Sequence, residues 1–303
     1  MKAIEIRNLT KCFGEKMVLN ELNMTVPVGS IYGFIGENGS GKSTTEKIIC
    51  GLVTPNNGNV KLFGKNYNDS DIRSKIGVLI ENPGCYLNYS VWNNMMLQAL
   101  NLNLKNPTDE IRRVLRIVRM DGAASNKYKN CSLGMKQRIG IAMALLGSPK
   151  LLILDEPLNG LDADGMRIIR EVLVDITKIY NCTIVISSHI LGELEKIATH
   201  YGIVRQGKMI KEMTALELDN DCPTYIELKT DNLEKTKLKL ENKYKKVNLN
   251  NNAIRIYDNV KSEDVVSYLY QNDDLVVEIK TSKIGLEEYY INLMEVEKNG
   301  NSF

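Results

Sequence analysis

Residues Gly36-Glu37-Asn38-Gly39-Ser40-Gly41-Lys42-Ser43 follow the pattern G-x-x-x-x-G-K-[ST], the spacing of a phosphate-binding loop. Its three glycines let the backbone curl so that successive N–H groups point inward at an anion. Lys42 is placed to reach the β- and γ-phosphates of a nucleotide, and the Ser43 hydroxyl to ligate Mg²⁺. Glu37, Asn38, Ser40 and Thr44 belong to the same phosphate-facing stretch. At average composition, chance would give such a match in roughly one chain of this length in a hundred. The flanks make chance less credible. Ile31–Ile35 is apolar and β-prone, and Lys42–Leu52 has a helical pattern whose N-terminus adds partial positive charge.

A second set of residues matches this chemistry. The apolar run Leu151–Leu154 ends in Asp155-Glu156-Pro157. A buried strand that delivers an Asp beside a phosphate loop can hold Mg²⁺. Glu156, one residue on, can polarise an attacking water as general base. Ser132-Leu133-Gly134 stands just ahead of a helical pattern, Met135–Leu146, and makes a second anion-binding helix start. On its own Ser132 reads better as a capping serine. Asn159-Gly160-Leu161-Asp162 forms a turn after the acids. His189 follows Ser187-Ser188 at the end of the next strand, where an α/β sheet places its ligand.

The elements needed to position these residues are present. Across about the first 215 residues, strands and helices alternate as in an α/β domain. Strands are expected at Ile4–Asn8, Leu22–Val26, Ile31–Ile35, Asn59–Leu62, Ile76–Ile80, Leu151–Leu154, Thr183–Ile186 and Gly202–Val204. Helices are expected at Lys42–Leu52, Val91–Leu100, Asp109–Val118, Met135–Leu146, Ala163–Tyr180 and Leu191–His200. Residues 91–148 hold three helical patterns and no convincing strand, so a helical insertion is placed at about 82–148. From Asn220-Asp221-Cys222-Pro223 onward the chain turns Lys-, Glu- and Asn-rich. Domains are therefore placed at 1–218 and 222–303. The second scans as β-α-β-β-α-β followed by a helix, a ferredoxin-like order.

Composition sets outer limits. The 303 residues are 43% hydrophobic and 25% charged, enough apolar material for real cores. A net charge of +2, from 39 Lys+Arg against 37 Asp+Glu, gives no argument for nucleic acid as a partner. The six cysteines form no C-x-x-C pair and there are only two histidines, which argues against a zinc site. No apolar run approaches the ~18 residues of a membrane span, and the N-terminus does not read as a signal peptide. A cytoplasmic chain is expected.

Taken together, the motifs resemble the ATP-binding cassette ATPases over residues 1 to about 215. The order and spacing match: the loop at 36–43, a signature at 131–135, Asp155-Glu156, Leu161-Asp162 and His189. The resemblance implies a P-loop NTPase fold of the cassette type, with a mixed sheet core and a helical subdomain. It implies ATP and Mg²⁺ as cofactors, Glu156 and His189 as catalytic residues, and Ser43, Asp155 and Glu81 at the metal. Ser132, Gly134 and Asp162 would serve nucleotide bound between two cassettes, either identical or paralogous. Phe13 matches the adenine-stacking aromatic, a contact worth about 1–3 kcal/mol; a core aromatic at a strand end is the plain alternative.

Two departures narrow the resemblance. Glu81 stands where the family usually has Gln, in Ile80-Glu81-Asn82-Pro83-Gly84. The signature reads Cys131-Ser132-Leu133-Gly134-Met135 where the family usually has Leu-Ser-Gly-Gly-Gln. Both resemble ATPase subunits of bacterial exporters that give bacitracin resistance or lantibiotic immunity. The chain is then expected at the inner face of the cell membrane, driving a permease that is a separate polypeptide. The other reading is a soluble cassette ATPase in cofactor assembly or another non-transport role. For Glu81 the plain alternative is a solvated loop residue.

Overall fold

The computed structural model describes residues 1–299 apart from Asn82, Asn251, Asn259 and Asp273. Asn82, where the helical insertion was placed to begin, and the last four residues of the chain lie outside the described residues. Two compact units divide between Ala215 and Leu216.

The first unit opens with two twelve-residue strands, β1 (Lys2–Phe13) and β2 (Lys16–Pro27), then β3 (Ile31–Ile35) and α1 (Lys42–Ile49). Next come β4 (Asn57–Leu62), β5 (Lys65–Asn66), α2 (Ser70–Arg73) and β6 (Ile76–Leu79). Three helices follow without a strand: α3 (Val91–Asn101), α4 (Pro107–Ile117) and α5 (Leu133–Leu145). The unit closes with β7 (Leu151–Asp155), α6 (Ala163–Tyr180), β8 (Thr183–Ser187), α7 (Leu191–Glu195), β9 (His200–Arg205) and β10 (Lys208–Thr214).

These strands make two sheets. One is antiparallel, in the order β2-β1-β4-β5. The other runs β10-β9-β3-β8-β7-β6, parallel except for β10 at its edge. The side chains of β3 and β8 are buried throughout, and those of β7 up to Leu154, as expected of parallel strands covered on both faces. One apolar core joins Ile4, Leu22 and Val60 of the first sheet to Phe34, Ile153 and Val185 of the second, with Ile48 and Ile49 of α1 between them. Placing α1 inside this core holds the loop before it at the carboxyl ends of the parallel strands.

Several boundaries differ from the sequence expectation. β1 and β2 run well beyond Ile4–Asn8 and Leu22–Val26, because register shifts absorb the residues that break the alternation, including Asn8 and Glu21 at positive φ. α7 stops at Glu195 rather than His200, since His200 pairs in register with Tyr32 as the start of β9. β10 was not expected; it returns from β9 through a Gln206-Gly207 turn with both residues at positive φ. α1 ends at Ile49 and is capped by Cys50, short of Leu52.

In the second unit α8 (Ala215–Asp221) leads into β11 (Thr224–Thr230), α9 (Leu233–Glu241), β12 (Val247–Asn250), β13 (Ala253–Ile256), α10 (Ser262–Gln271), β14 (Val276–Lys283) and α11 (Leu286–Asn299). Its sheet has the order β12-β13-β11-β14 with every neighbouring pair antiparallel. Ile226, Leu228, Ile254 and Ile256 of the sheet pack with Leu240 of α9 and with Val265 and Leu269 of α10 in a separate core.

Candidate active site

The glycine loop turns from β3 into α1. Gly39 (φ 80°) and Gly41 (φ 110°) occupy the left-handed region, which L side chains rarely adopt. Gly36 is needed for a different reason: a Cβ there would lie 2.4 Å from the Val204 carbonyl oxygen of β9 and 2.5 Å from Ser40 Oγ. Gly41 caps α1 with no side-chain hydrogen bond, so the first-turn N–H groups face the loop. The Lys42 ammonium donates to the carbonyls of Gly36 (2.7 Å) and Glu37 (3.1 Å), which holds its charge over the loop. The Gly207 N–H donates to Ser40 O at 2.9 Å, and Asn20 N–H to Gly207 O at 3.0 Å, so two neighbouring segments brace the loop.

Asp155 and Glu156 enter from the end of β7. A cleft of about 220 Å³ is lined by Val18, Asn38, Gly39, Gly41, Lys42, Ser43, Thr44, Asp155 and Glu156. Ser43 Oγ lies 3.5 Å from Asp155 Oδ2, so a hydroxyl and a carboxylate oxygen meet at the mouth of the loop. Hard oxygen donors of this kind suit Mg²⁺. Ser187, in register with Asp155 on β8, donates to Asp155 Oδ1 at 2.7 Å and accepts from the Glu156 N–H at 3.2 Å. Glu156 is at φ 49°, a conformation that turns its side chain away from the strand direction and costs about 1–3 kcal/mol for a residue with a Cβ. His189 Nδ1 is 2.7 Å from Glu156 Oε2. A cleft with a cationic loop on one wall and an oriented carboxylate on the other can bind a polyphosphate and activate a water against it.

The remaining expected residues stand elsewhere in the unit. Ser132 is the N-cap of α5, accepting from Met135 N–H at 3.2 Å; the helix starts at Leu133, two residues ahead of the expectation. Gly134 faces Leu161, so the signature packs on the Asn159–Asp162 turn of its own chain and stays out of the cleft lining. Asp162 caps α6 through Gly165 N–H at 2.8 Å. Phe13 is 51% exposed at the end of β1 with the Lys11 ammonium 4.9 Å from its ring centre, which removes the core-aromatic alternative. Glu37 is exposed beside the loop.

Glu81 is where the structure departs most from the metal-ligand expectation. Its carboxylate pairs with Lys47 at 3.1 Å, its side chain is 72% exposed, and it is not among the residues lining the cleft. Lys47, on α1, is 35% exposed, so the pair lies at the surface. Pro83 and Gly84, close after Glu81, line a groove of about 410 Å³ with Ile76–Ile80 of the sheet edge, Gln98 and Leu102 from the α3 end, and Gly140 and Met143 of α5.

Two residues of the site escaped the motif reading. Ser187 organises both acids, and its signal was that it ends an apolar strand run just as Asp155 does. Glu46, one turn beyond Lys42, is fully buried beneath the cleft. An acid flanked on one helix face by Lys42 and Ile49 was its signal.

Comparison with known proteins identifies the family. Residues 19–159 match the family described as ABC transporter. The chain is 36% identical over 299 residues to the bacitracin transport ATP-binding protein BcrA of Bacillus licheniformis, covering 96% of this chain and 97% of that one. It is 44% identical over 209 residues to the lantibiotic transport ATP-binding protein SrtF of Streptococcus pyogenes, covering 69% of this chain and 90% of that one. Among solved structures it is similar to cbiO1 of Clostridium perfringens, part of the ABC transporter complex cbiONQ, with a TM-score of 0.67 and 25% identity over 73% of this chain and 91% of that one. The chain therefore belongs to the ABC transporter family, as an ATP-binding subunit that hydrolyses ATP.

Proposed function

We propose that this chain powers a bacterial exporter whose permease is a separate polypeptide, and that the exporter serves resistance or immunity to a peptide antibiotic of the bacitracin or lantibiotic type. The observation that carries this reading is the extent of the likeness to a bacitracin transport subunit, which runs over 96% of the chain and so includes the second unit. Among the described residues no helix is long and apolar enough to cross a membrane; in this reading the permease supplies the membrane attachment. The groove beside Pro83 and Gly84 offers that partner an edge strand and two helices to dock against. The chain is then held at the inner face of the membrane.

In this reading the nucleotide's phosphates lie in the N–H groups of residues 39–44 and under the Lys42 ammonium. Ser43 and Asp155 would hold Mg²⁺, which would supply positive charge to offset that of the phosphates. Glu156 accepts the proton of the attacking water. His189 fixes the Glu156 carboxylate, and Ser187 fixes Asp155. Phe13, exposed at a strand end, stacks on the adenine. Ser132 and Gly134 stand outside their own cleft, so they serve the nucleotide of a second cassette, identical or paralogous. We assign residues 1–218 to the cassette and 222–303 to an accessory domain of ferredoxin-like arrangement.

The test is expression with and without a co-expressed candidate permease. Recovery in washed membranes only with the permease, together with a rise in resistance to a bacitracin- or lantibiotic-type peptide, is the expected result. An ATPase that stays in the soluble fraction in both cases would return the chain to the soluble, non-transport reading.

A further inference from the structure

Among the described residues of the first unit Glu46 is the one acid that is fully buried, and no established role explains it. It lies on α1, one turn after Lys42, which lines the cleft. Neither of its oxygens makes a hydrogen bond of ordinary length and angle. The polar side chain that faces it is Ser187 of β8; Lys42 lies on its own helix, and Asp155 and Glu156 approach from β7. Cys50 is its neighbour on the next turn.

The hydrogen-bond inventory of Ser187 decides what Glu46 can do. A serine hydroxyl has one proton and two lone pairs. The proton goes to Asp155 Oδ1 at 2.7 Å, and one lone pair takes the Glu156 N–H at 3.2 Å. What remains towards Glu46 is a lone pair, which only a donor can use. An ionised Glu46 is acceptor-only, so it would compete with Asp155 for the same proton and would sit unpaired beside two other acids. A protonated Glu46 fits on both counts. Burial first, then Asp155, pushes its carboxyl up to about 8 against the opposite pull of Ser187 and Lys42, which agrees with that state at neutral pH.

We infer that Glu46 is a positioning residue that donates a hydrogen bond to Ser187 and, through Ser187, fixes the face that Asp155 turns to the cleft. With Oδ1 committed to Ser187, Oδ2 is the oxygen left beside Ser43 at 3.5 Å. Glu46 thereby sets the readiness of the metal-holding pair without touching nucleotide. The inference rests on the reading of Asp155 and Ser43 as that pair.

The experiment measures binding of a fluorescent ATP analogue to the full chain, with Mg²⁺ and with EDTA, together with turnover and a melting curve. Glu46→Leu keeps the bulk and removes the donor. It should lower the affinity gained on adding Mg²⁺ by about tenfold or more, the usual effect of losing a group that orients a ligand, while EDTA binding is unchanged. Glu46→Gln keeps a donor and should retain most of that gain. With Ser187→Ala already present, Glu46→Leu should add nothing. A wild-type Mg²⁺ gain in Glu46→Leu, equal damage by Glu46→Gln, or full additivity with Ser187→Ala would each overturn the inference. So would a fall in melting temperature of more than about 5 °C in Glu46→Leu, which would mark a structural role. Asp155→Asn is the separate arm: if it keeps the Mg²⁺ gain, the metal reading has failed, whatever Glu46 does.

Discussion

His189 holds Glu156 by two bonds to one oxygen: its Nδ1 is 2.7 Å from Oε2 and its backbone N–H donates to the same atom at 3.3 Å. A carboxylate clamped on one oxygen presents the other to the cleft. Glu156→Gln is expected to bind ATP normally and to lose about 10²–10⁴-fold in turnover, the contribution of a positioned general base. His189→Ala leaves the base present but unfixed, so its loss should be smaller, with ATP affinity again unchanged. Steady-state ATPase with parallel nucleotide titration checks both. Turnover of Glu156→Gln close to wild type would remove Glu156 from the base role.

Ser132 caps α5 and is exposed, outside the cleft of its own chain. Ser132→Arg should therefore block hydrolysis while leaving ATP binding by the monomer intact. Mixed with Lys42→Ala chains, it should give pairs in which one composite site lacks both elements and the other keeps both. Partial activity in the mixture, against none in either variant alone, is the expected result. Ser132→Ala should also cost roughly 1 kcal/mol of stability through the lost cap, visible as a small drop in melting temperature.

The Lys47–Glu81 pair is solvent-exposed, so it is worth at most about 1 kcal/mol, and breaking it should not move the melting temperature noticeably. Its place beside the groove proposed as the permease contact gives it a different importance. Glu81→Ala is expected to reduce transport or resistance far more than the ATPase of the isolated subunit. Glu81→Gln should keep a good part of both. Equal losses in Glu81→Ala would make it a plain catalytic residue, and no loss would make it a solvated one.

Glu46 also predicts a pH dependence of stability. In the unfolded chain it ionises near the ordinary carboxylate value of 4.5, whereas in the fold it keeps its proton to about 8. Folding takes up a proton between these values, so this group favours the fold less as pH rises and its effect levels off above 8. By pH 7 the cumulative loss is on the order of 3 kcal/mol. Glu46→Gln has no such proton to lose. Its melting temperature relative to wild type should climb from pH 5 to pH 8, and parallel curves across that range would refute the assignment.

Contiguous motifs were the legible part of this chain. The loop at 36–43 and the pair Asp155-Glu156 lie in the cleft because their local sequence, an apolar strand followed at once by the functional residues, already dictates where they emerge. His189 could be read for the same reason. The relations that depend on pairing between distant segments were hidden. Ser187 meets Asp155 only because β7 and β8 stand in a particular parallel register, and Lys47 reaches Glu81 only after α1 is packed beside the loop after β6. β10 went unseen because Lys211 and Glu212 look like loop residues. In the fold Glu212 accepts from the Tyr32 hydroxyl at 2.7 Å and the Thr25 N–H at 2.8 Å, so its charge has a structural use.

The brace from Gly207 N–H to Ser40 O ties the glycine loop to the turn between β9 and β10. Folding the sheet thus shapes the loop before any nucleotide arrives, and the entropy of ordering it belongs to folding rather than to binding. ATP is then expected to meet a loop already shaped by the fold. The Gly207 amide should exchange slowly with solvent deuterium even in nucleotide-free protein, and adding nucleotide should slow it little further. Regulation by loosening this cassette would have to act on the β9–β10 turn, at a distance in sequence from every phosphate contact.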